Sequence, residues 1–430
     1  MTGISGFMAT VGLHPKMPPI NRIRKVIVAN LIEKHPFKVC RKYESRASRF
    51  LVIYEIIVSI SFGADRVDRP NTFFTGDSTM IILALDLGKN KTVGCIFDTA
   101  DNKFRYKKIK TVAFALINLV EEAKPERVIF EIGTSAGWVY DIVHGQGIGD
   151  IQVANPNHEG WRWRNVKSKT DRLDALKLAK LSMVDQLPLI HMPSAKVREH
   201  RALIHYRGQL VSRRTRIKNT IRSLLHRIGL EMPAGKNGWS KKAVAELAEI
   251  SCPTEECDIA QLWRCELHEE LIGLEAAEQS LARVEKRLDA IGESDERIQR
   301  LRTMPGVGPR LSELVVAVLD DPHRFQNGGK ASSYVGLTPR QYQSGQMDRK
   351  CHISKQGHRQ LRQMLVEVSW IALKYNPQLR AFYHRVCRGQ KSRRKIAIVA
   401  VARKLLVYCW AMLRDGTNWT PVVTDMQQAS

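Results

Sequence analysis

Two apolar runs in the front part of the chain each end on a carboxylate. The run that opens at Met80 ends at Asp86, and the run that opens at Arg127 ends at Glu131. Short runs of this kind, bounded by turn residues, predict buried strands. A charge at the end of a buried strand is costly unless it is paired or binds a metal. The pattern therefore predicts a buried sheet with a functional edge.

A second acidic pair, Asp171 and Asp174, follows Thr170. Thr170 predicts an N-cap, which places both acids on one face of the first helical turn. Alone, such a pair only complements the helix dipole. Together with the two strand-end acids it predicts a cage of hard oxygen ligands for Mg²⁺ or Mn²⁺, in which one carboxylate can act by orienting a ligand. Such a cage is typical of metal-assisted attack on a phosphodiester.

The composition agrees with a polyanionic partner. The formal net charge is +25 and the pI is about 9.9, which favours nucleic acid over a membrane surface. The eight cysteines include no Cys-x-x-Cys pair, which indicates idle thiols in a reducing compartment. No apolar stretch is expected to span a membrane, because the best candidate, residues 50–62, is short and contains Glu55. We expect a cytoplasmic protein with no membrane partner.

The order of elements after Met80 predicts an α/β domain. Three strands joined by short turns precede alternating helices and strands, in the order of the ribonuclease H-like fold. In that fold the first and fourth strands are neighbours, so Asp86 and Glu131 should lie side by side. The predicted elements are strands Ile81–Asp86, Thr92–Phe97 and Lys103–Thr111, helix Ala113–Ala123, strand Val128–Glu131, helix Ala136–Gly145, strand Ile151–Ala154 and a helix from Thr170 to about Val184.

The remaining chain is predicted to be mainly helical. Residues 196–227 are rich in Lys and Arg and hold one acid, Glu199, and leucines recur every seven residues from Leu267 to Leu288. The heptads fit either a coiled coil or two amphipathic helices packed within one chain. Residues 1–79 are expected to be a poorly ordered extension, which is either appended by an upstream start or a small basic arm. The further expected divisions are an acidic-tetrad domain over 80–190, a helical segment over 191–296, a C-terminal domain over 297–415 and a tail over 416–430.

Two short motifs in the C-terminal part allow two interpretations each. The turn from Pro305 through Gly306 to Gly308 predicts a helix-hairpin-helix, whose backbone N–H groups approach a phosphate, or else a plain tight turn. Ser354 precedes a predicted helix, and residue chemistry alone makes it an N-cap. A serine nucleophile would need a base and charge stabilisation. Nearby Lys355, Arg359 and Arg362 could stabilise charge, but no base is evident.

Two basic stretches, one of them with aromatic residues, predict nucleic-acid contacts. One is the loop with Trp161 and Trp163, and the other is residues 385–404. Cations that follow a phosphate backbone, with stacking aromatics, suit DNA or RNA. The expected contacts are Arg162, Arg164, Lys167, Lys169, Gly306, Gly308, Lys355, Arg359, Arg393, Arg394 and Lys395.

Together these residues resemble the insertion-sequence-110 family of transposases. The order Asp86, Glu131, Asp171, Asp174 is similar to the family's Asp-Glu-Asp-Asp pattern. Three further blocks match in order: Met304-Pro-Gly-Val-Gly308, Tyr334-Val-Gly-Leu-Thr-Pro339 and Ile353-Ser-Lys-Gln-Gly357. The resemblance covers about residues 80–415, and residues 1–79 have no place in it.

The resemblance implies more than the residues do. Family members cut and join double-stranded DNA at element ends and targets, with a ribonuclease H-like domain related to Holliday-junction resolvases. It implies that Ser354 is a nucleophile that forms a transient serine–DNA linkage, activated by the metal-bound acids of another subunit. It also implies a structured guide RNA and a homo-oligomer, either a dimer or a tetramer joined through the helical segment. The expected location is the nucleoid of a bacterium or archaeon.

Two other functions fit the residues. The first is a metal-dependent DNA endonuclease, like a Holliday-junction resolvase, that uses water as nucleophile. The second is a non-catalytic nucleic-acid-binding protein descended from such an enzyme. The intact set of four acids argues against the second, because a decayed copy should lose clustered charges first.

Overall fold

A computed structural model describes residues 79–155, 170–233, 235–344 and 347–420. These residues belong to one compact unit, Ser78–Ser430. The expected disorder of residues 1–79 falls almost wholly outside the described residues. So do the basic loop with Arg162, Arg164, Lys167 and Lys169, and most of the tail.

The front section is a five-stranded sheet with the order β3-β2-β1-β4-β5. Strand β1 pairs antiparallel with β2 and parallel with β4, as the sequence predicts for the first and fourth strands. The described elements are β1 (Ile81–Leu87), β2 (Lys91–Asp98), β3 (Phe104–Lys110), α1 (Ala113–Ala123), β4 (Arg127–Glu131), α2 (Ala136–Gly145), β5 (Asp150–Ala154) and α3 (Asp171–Met183).

Helices cover both faces of this sheet. Leu83 and Leu85 of β1 belong to a core shared with α1 and α2, whereas Ile82 and Ala84 belong to a core shared with α3. This division follows from the two-residue period of a strand, which sends successive side chains to opposite faces. Burial on both faces explains why the strands read as continuous apolar runs.

Two long helices follow, α4 (Ala195–Arg227) and α6 (Trp263–Ser294), with the short α5 (Lys241–Ile250) between them. Ion pairs join Arg207 to Glu285, and Arg227 to Glu266, so the two long helices run antiparallel. The heptad leucines from Leu267 to Leu288 are buried. The heptad pattern therefore corresponds to two helices packed within one chain.

The C-terminal section is mainly helical, as predicted, and has one hairpin that the sequence analysis did not predict. That hairpin pairs β6 and β7 antiparallel. The elements are α7 (Glu296–Arg302), α8 (Pro309–Leu319), α9 (Gly328–Val335), β6 (Pro339–Ser344), β7 (Met347–Ile353), α10 (Arg359–Tyr375), α11 (Pro377–Cys387) and α12 (Arg394–Asp415).

Helix α12 corrects one expectation. The segment Lys391–Asp415 is long and apolar enough to cross a membrane by length and composition, although the sequence analysis expected no such stretch. Its apolar residues serve packing: Val401, Leu405 and Leu406 are fully buried in the core shared with α7 to α11. The core helix of a folded section needs the same uniform apolarity as a membrane span.

Candidate active site

Asp86 and Glu131 lie at the same edge of the sheet. Leu85 pairs with Phe130 in the parallel register of β1 and β4, and the two acids are the next residues on the two strands. Both acids are half-buried. The predicted side-by-side placement at adjacent strand ends is confirmed.

Both acids also point to the same face of the sheet. Ala84 and Ile129 lie in the core beneath α3, and Asp86 and Glu131 follow them by two residues on their strands. Because side chains alternate along a strand, the two carboxylates share the α3 face.

Helix α3 carries the other two acids toward that edge. Thr170 caps the helix, since its Oγ1 accepts a hydrogen bond from the Leu173 N–H at 3.3 Å. Asp171 lies four and seven residues before the buried Ala175 and Leu178, and Asp174 lies four residues before Leu178, which is the spacing of one helix face. This face packs on the sheet. The end of α3 lies beside the start of β4, since Arg127 Nη1 donates to the Ser182 carbonyl at 2.9 Å, so the first turn lies toward the strand ends that carry Asp86 and Glu131. The predicted cap is confirmed.

The four acids have the chemistry of a divalent-ion site, because carboxylate oxygens are the ligands that Mg²⁺ and Mn²⁺ prefer. Asp86, Glu131 and Asp174 each take part in at least one polar interaction. Within the described ranges, no three His, Cys, Asp or Glu side chains converge closely enough to hold an ion. The acids thus share an edge and a face without being closed around one point.

Ser354 lies elsewhere, in a loop after β7. Its N–H donates to the Thr338 carbonyl at 2.8 Å, and its own carbonyl accepts from Arg340 Nη2 at 3.1 Å. The N-cap of α10 is His358, whose Nδ1 accepts from the Leu361 N–H at 3.2 Å. The interpretation of Ser354 as an N-cap is therefore wrong, because four residues of non-helical chain separate it from the first helical residue.

Two glycines hold the segment Ser354–Gly357, here called the serine loop, against the end of α9. Gly336 and Gly357 have φ of +80° and +100°. A Cβ on Gly336 would lie 1.9 Å from the Gln356 carbonyl oxygen, and one on Gly357 would lie 2.0 Å from the Tyr334 carbonyl oxygen. Only glycine permits both this close approach and this backbone conformation. The sequence analysis missed this role, although both glycines stood in the quoted motifs.

Side chains from α10 also hold the serine loop in place. Arg362 Nη1 donates to the carbonyls of Val335 at 2.9 Å and Gln356 at 3.4 Å. Arg362 therefore fixes the serine loop rather than offering a free charge. Lys355 and Arg359 are exposed and remain available to an anion. Burial, with Arg201, Arg362 and His205 nearby, lowers the pKa of His358, which keeps its ring neutral so that Nδ1 can accept.

The Pro305–Gly308 turn connects α7 to α8. Gly306 has φ of +90°, and a Cβ there would lie 2.7 Å from the Ala372 Cα of α10. Packing against α10 is therefore enough to explain the glycine at position 306, and a bound phosphate is not needed to explain it. Gly308 is the N-cap of α8, and open space surrounds the position of its missing Cβ. Of the two, only Gly308 lies where a ligand could approach.

The three predicted basic contacts near α12 differ in their exposure to solvent. Arg394 and Lys395 are exposed at the helix start. Arg393 is half-buried and its Nε donates to the Val386 carbonyl at 3.0 Å, which caps the last turn of α11. A helix C-terminus favours such a cation, so Arg393 has a structural task.

Two family models match separate parts of the chain. A transposase family model named for the DEDD residues of the IS110 group matches residues 83–229, and the model of the IS116/IS110/IS902 transposase family matches residues 298–384. The first match spans all four acids and the second spans Ser354. The DEDD model suggests a requirement for a divalent metal ion.

Named relatives cover much of the chain. The transposase for insertion sequence element IS1111A of Coxiella burnetii is 28% identical over 77% of this chain and 89% of its own length. A probable family 20 transposase of Pseudomonas aeruginosa is 30% identical over 59% of this chain and 74% of its own length. The chain belongs to the IS116/IS110/IS902 family of transposases, enzymes that cut and rejoin DNA.

Proposed function

We propose that this transposase cuts DNA with the Ser354 hydroxyl as nucleophile, and that the four carboxylates activate the reaction. The observation that carries the proposal is the serine loop, in which Gly336, Gly357 and Arg362 hold Ser354 in a fixed, non-helical backbone beside two exposed cations. A preorganised loop of this kind lowers the entropy that the reaction must overcome.

In the proposed step, the Ser354 Oγ forms a bond to phosphorus as one phosphorus–oxygen bond to deoxyribose breaks. The serine loses its proton, and the leaving deoxyribose oxygen gains one. Lys355 and Arg359 offset the charge on the phosphoryl oxygens. Attack of a deoxyribose hydroxyl on the same phosphorus then reverses these bond changes and rejoins the strand to a new end.

Asp86, Glu131, Asp171 and Asp174 would hold a divalent cation, Mg²⁺ or Mn²⁺. Such an ion, once bound, supplies positive charge against a phosphoryl oxygen. The placement of all four acids at one edge and one face of the sheet supports this role. The strand order β3-β2-β1-β4-β5 supports assignment of the section to the ribonuclease H-like fold.

The reaction centre is proposed to form between subunits. The acids are held by β1, β4 and α3, and the serine loop is held by α9, β6 and α10. Joining the edge of one subunit to the loop of another would bring the two halves together in a dimer or tetramer. A helix-hairpin-helix at Gly308, a structured guide RNA and a cytoplasmic location complete the proposal.

The test is strand cleavage of element-end DNA by the full chain, with Mg²⁺ and RNA transcribed from the flanking region. Products are separated by denaturing electrophoresis with and without protease. The proposal expects a protein-linked DNA band that disappears in Ser354→Ala and in Asp86→Ala. Free cut ends that persist in Ser354→Ala but not in Asp86→Ala would overturn the serine mechanism and favour hydrolysis by water.

A further inference from the structure

The cations of the basic helix α4 fall into two groups with different electrostatic surroundings. Those of the first group meet acids of α6: Lys218 Nζ lies 2.9 Å from Glu278 Oε1, and Arg227 Nη2 lies 2.6 Å from Glu266 Oε2. Those charges are largely neutralised within the helix pair.

The second group of cations keeps its charge. Arg213 and Arg216 are exposed, and in the part of the chain that the structure describes neither forms an ion pair with a carboxylate. They are one turn apart and therefore project in similar directions. Both line the groove described next.

A groove lies between α4 and the start of α10. Its volume is about 1020 Å³, and its walls are residues 205–213 and 216 of α4 and residues 358–360, 363, 364 and 367 at the start of α10. One acid lines it, Glu367, which accepts a hydrogen bond from Gln363 Nε2 at 3.0 Å. The two helices approach closely at Gly208, where a Cβ would lie 3.1 Å from Gln360 Nε2. The groove is therefore open and predominantly basic.

The groove begins next to the serine loop in sequence. His358 and Arg359 on its wall directly follow Gly357, and Arg359 adds an exposed cation at that end. From His205 to Arg216 the helix is about 16 Å long at about 1.5 Å per residue. That length matches roughly five nucleotides of one strand at about 3.4 Å each.

We propose that this groove binds the phosphodiester backbone of the DNA strand that is cut at Ser354, through Arg213, Arg216 and Arg359. The proposal rests on the proposed function for the identity of the strand. Two exposed arginines one turn apart, with a third at the serine end, suit successive phosphates and do not require a base sequence. The groove thus positions the strand, and the cut site is chosen elsewhere.

The experiment compares two double variants that remove equal charge from the same helix. Arg213→Gln with Arg216→Gln removes two groove cations that have no carboxylate partner among the described residues, and Lys218→Gln with Arg227→Gln removes two cations that are paired with acids of α6. Binding of a labelled element-end duplex to the full chain is measured across a salt series. Thermal unfolding of both variants checks that the helix pair remains folded.

The groove variant should bind more weakly, with a slope of log K against log salt that is smaller by about 1.8, since each lost contact to duplex phosphate removes about 0.9. The control variant should keep the wild-type slope. Equal slopes in the two variants, or an unchanged groove variant, would overturn the proposal. A slope change with flanking-region RNA but none with the duplex would assign the groove to RNA and overturn its assignment to DNA.

A second measurement separates this proposal from the serine mechanism. The serine mechanism requires the protein-linked DNA band in wild-type protein, whereas the groove proposal requires only the changed salt slope of the groove variant. If wild-type protein forms no linked band while the groove slope still changes, the serine mechanism fails and the groove stands as a backbone-binding site. A linked band together with an unchanged groove slope overturns the groove alone.

Discussion

The carboxylate edge and the serine loop are positioned by different kinds of structure. Asp86 and Glu131 extend two buried parallel strands, and their direction follows from strand alternation and from α3 above them. Ser354 lies outside helix and strand, and backbone contacts around Gly336 and Gly357 fix its loop. The first site therefore depends on side-chain packing, whereas the second depends on the absence of side chains at two glycines.

The largest expected effect is on catalysis and should be equal in the two regions. Ser354→Ala and Asp86→Asn should each lower the rate of strand joining by about 10³-fold or more, because each removes a group that acts on the scissile phosphate. Initial rates of joined product measure the loss. A residual rate in Ser354→Ala near that of wild type would show that the loop has no chemical role.

The next largest effect is expected at the glycines that hold the serine loop. Gly357→Ala should destabilise the protein by about 3 kcal/mol or more, because a Cβ 2.0 Å from the Tyr334 carbonyl oxygen forces the loop away at an unfavourable φ. Urea unfolding gives the change in free energy.

Gly389→Ala is the matched control for Gly357→Ala. Gly389 also has a positive φ, of +70°, but open space surrounds it. The substitution should cost about 1–2 kcal/mol from backbone strain alone. Similar values for the two variants would mean that the contact with Tyr334 does not hold the serine loop.

A smaller effect is expected at the cap of α3. Thr170→Ala removes the hydrogen bond from the Leu173 N–H and should cost about 1 kcal/mol. Because Asp171 and Asp174 lie in the turn that this cap orders, the Mg²⁺ concentration needed for half-maximal cleavage should rise. Thr170→Ser keeps the acceptor and should behave like wild type. An equal rise in both variants would show that the cap does not order the acids.

The smallest effect concerns pH and the C-terminal section. The pKa of His358 is lowered in the folded protein, so its contribution to stability is fully present above the unfolded pKa of about 6.5. That contribution is lost as pH falls through the lowered, folded pKa. Unfolding free energies measured at several pH values below 7 should therefore fall more steeply in wild type than in His358→Asn, which keeps a capping acceptor.

His200 sets a background for that measurement. Burial also lowers its pKa, so some pH dependence should remain in His358→Asn. If the curve of His358→Asn coincides with that of wild type, protonation of His358 does not contribute to the pH dependence of stability.

The sequence predicted the carboxylate edge well because its signals are local. Apolar runs that end at Asp86 and Glu131 specify strands, and Thr170 specifies where α3 begins. The strand neighbours followed from the order of elements. The distances among the four acids did not follow from the sequence, because they depend on how far α3 extends over the sheet edge.

The serine loop was harder to predict because its order comes from contacts distant in sequence. Gly336 and Gly357 lie against each other's neighbouring backbone, and neither motif alone reveals the other. The hairpin of β6 and β7, which carries the chain between them, has many polar residues and lacks a clear apolar alternation. Ser354 was consequently interpreted as the N-cap of a helix that begins only at Arg359.

The account's central claim is that the carboxylate edge of one subunit and the serine loop of another form one reaction centre. The most direct test mixes Ser354→Ala protein with Asp86→Asn protein and measures strand joining. The account predicts that each variant alone is inactive and that the mixture regains activity, because some assemblies pair an intact edge with an intact loop. A mixture as inactive as either variant would contradict the claim and place both groups within one chain.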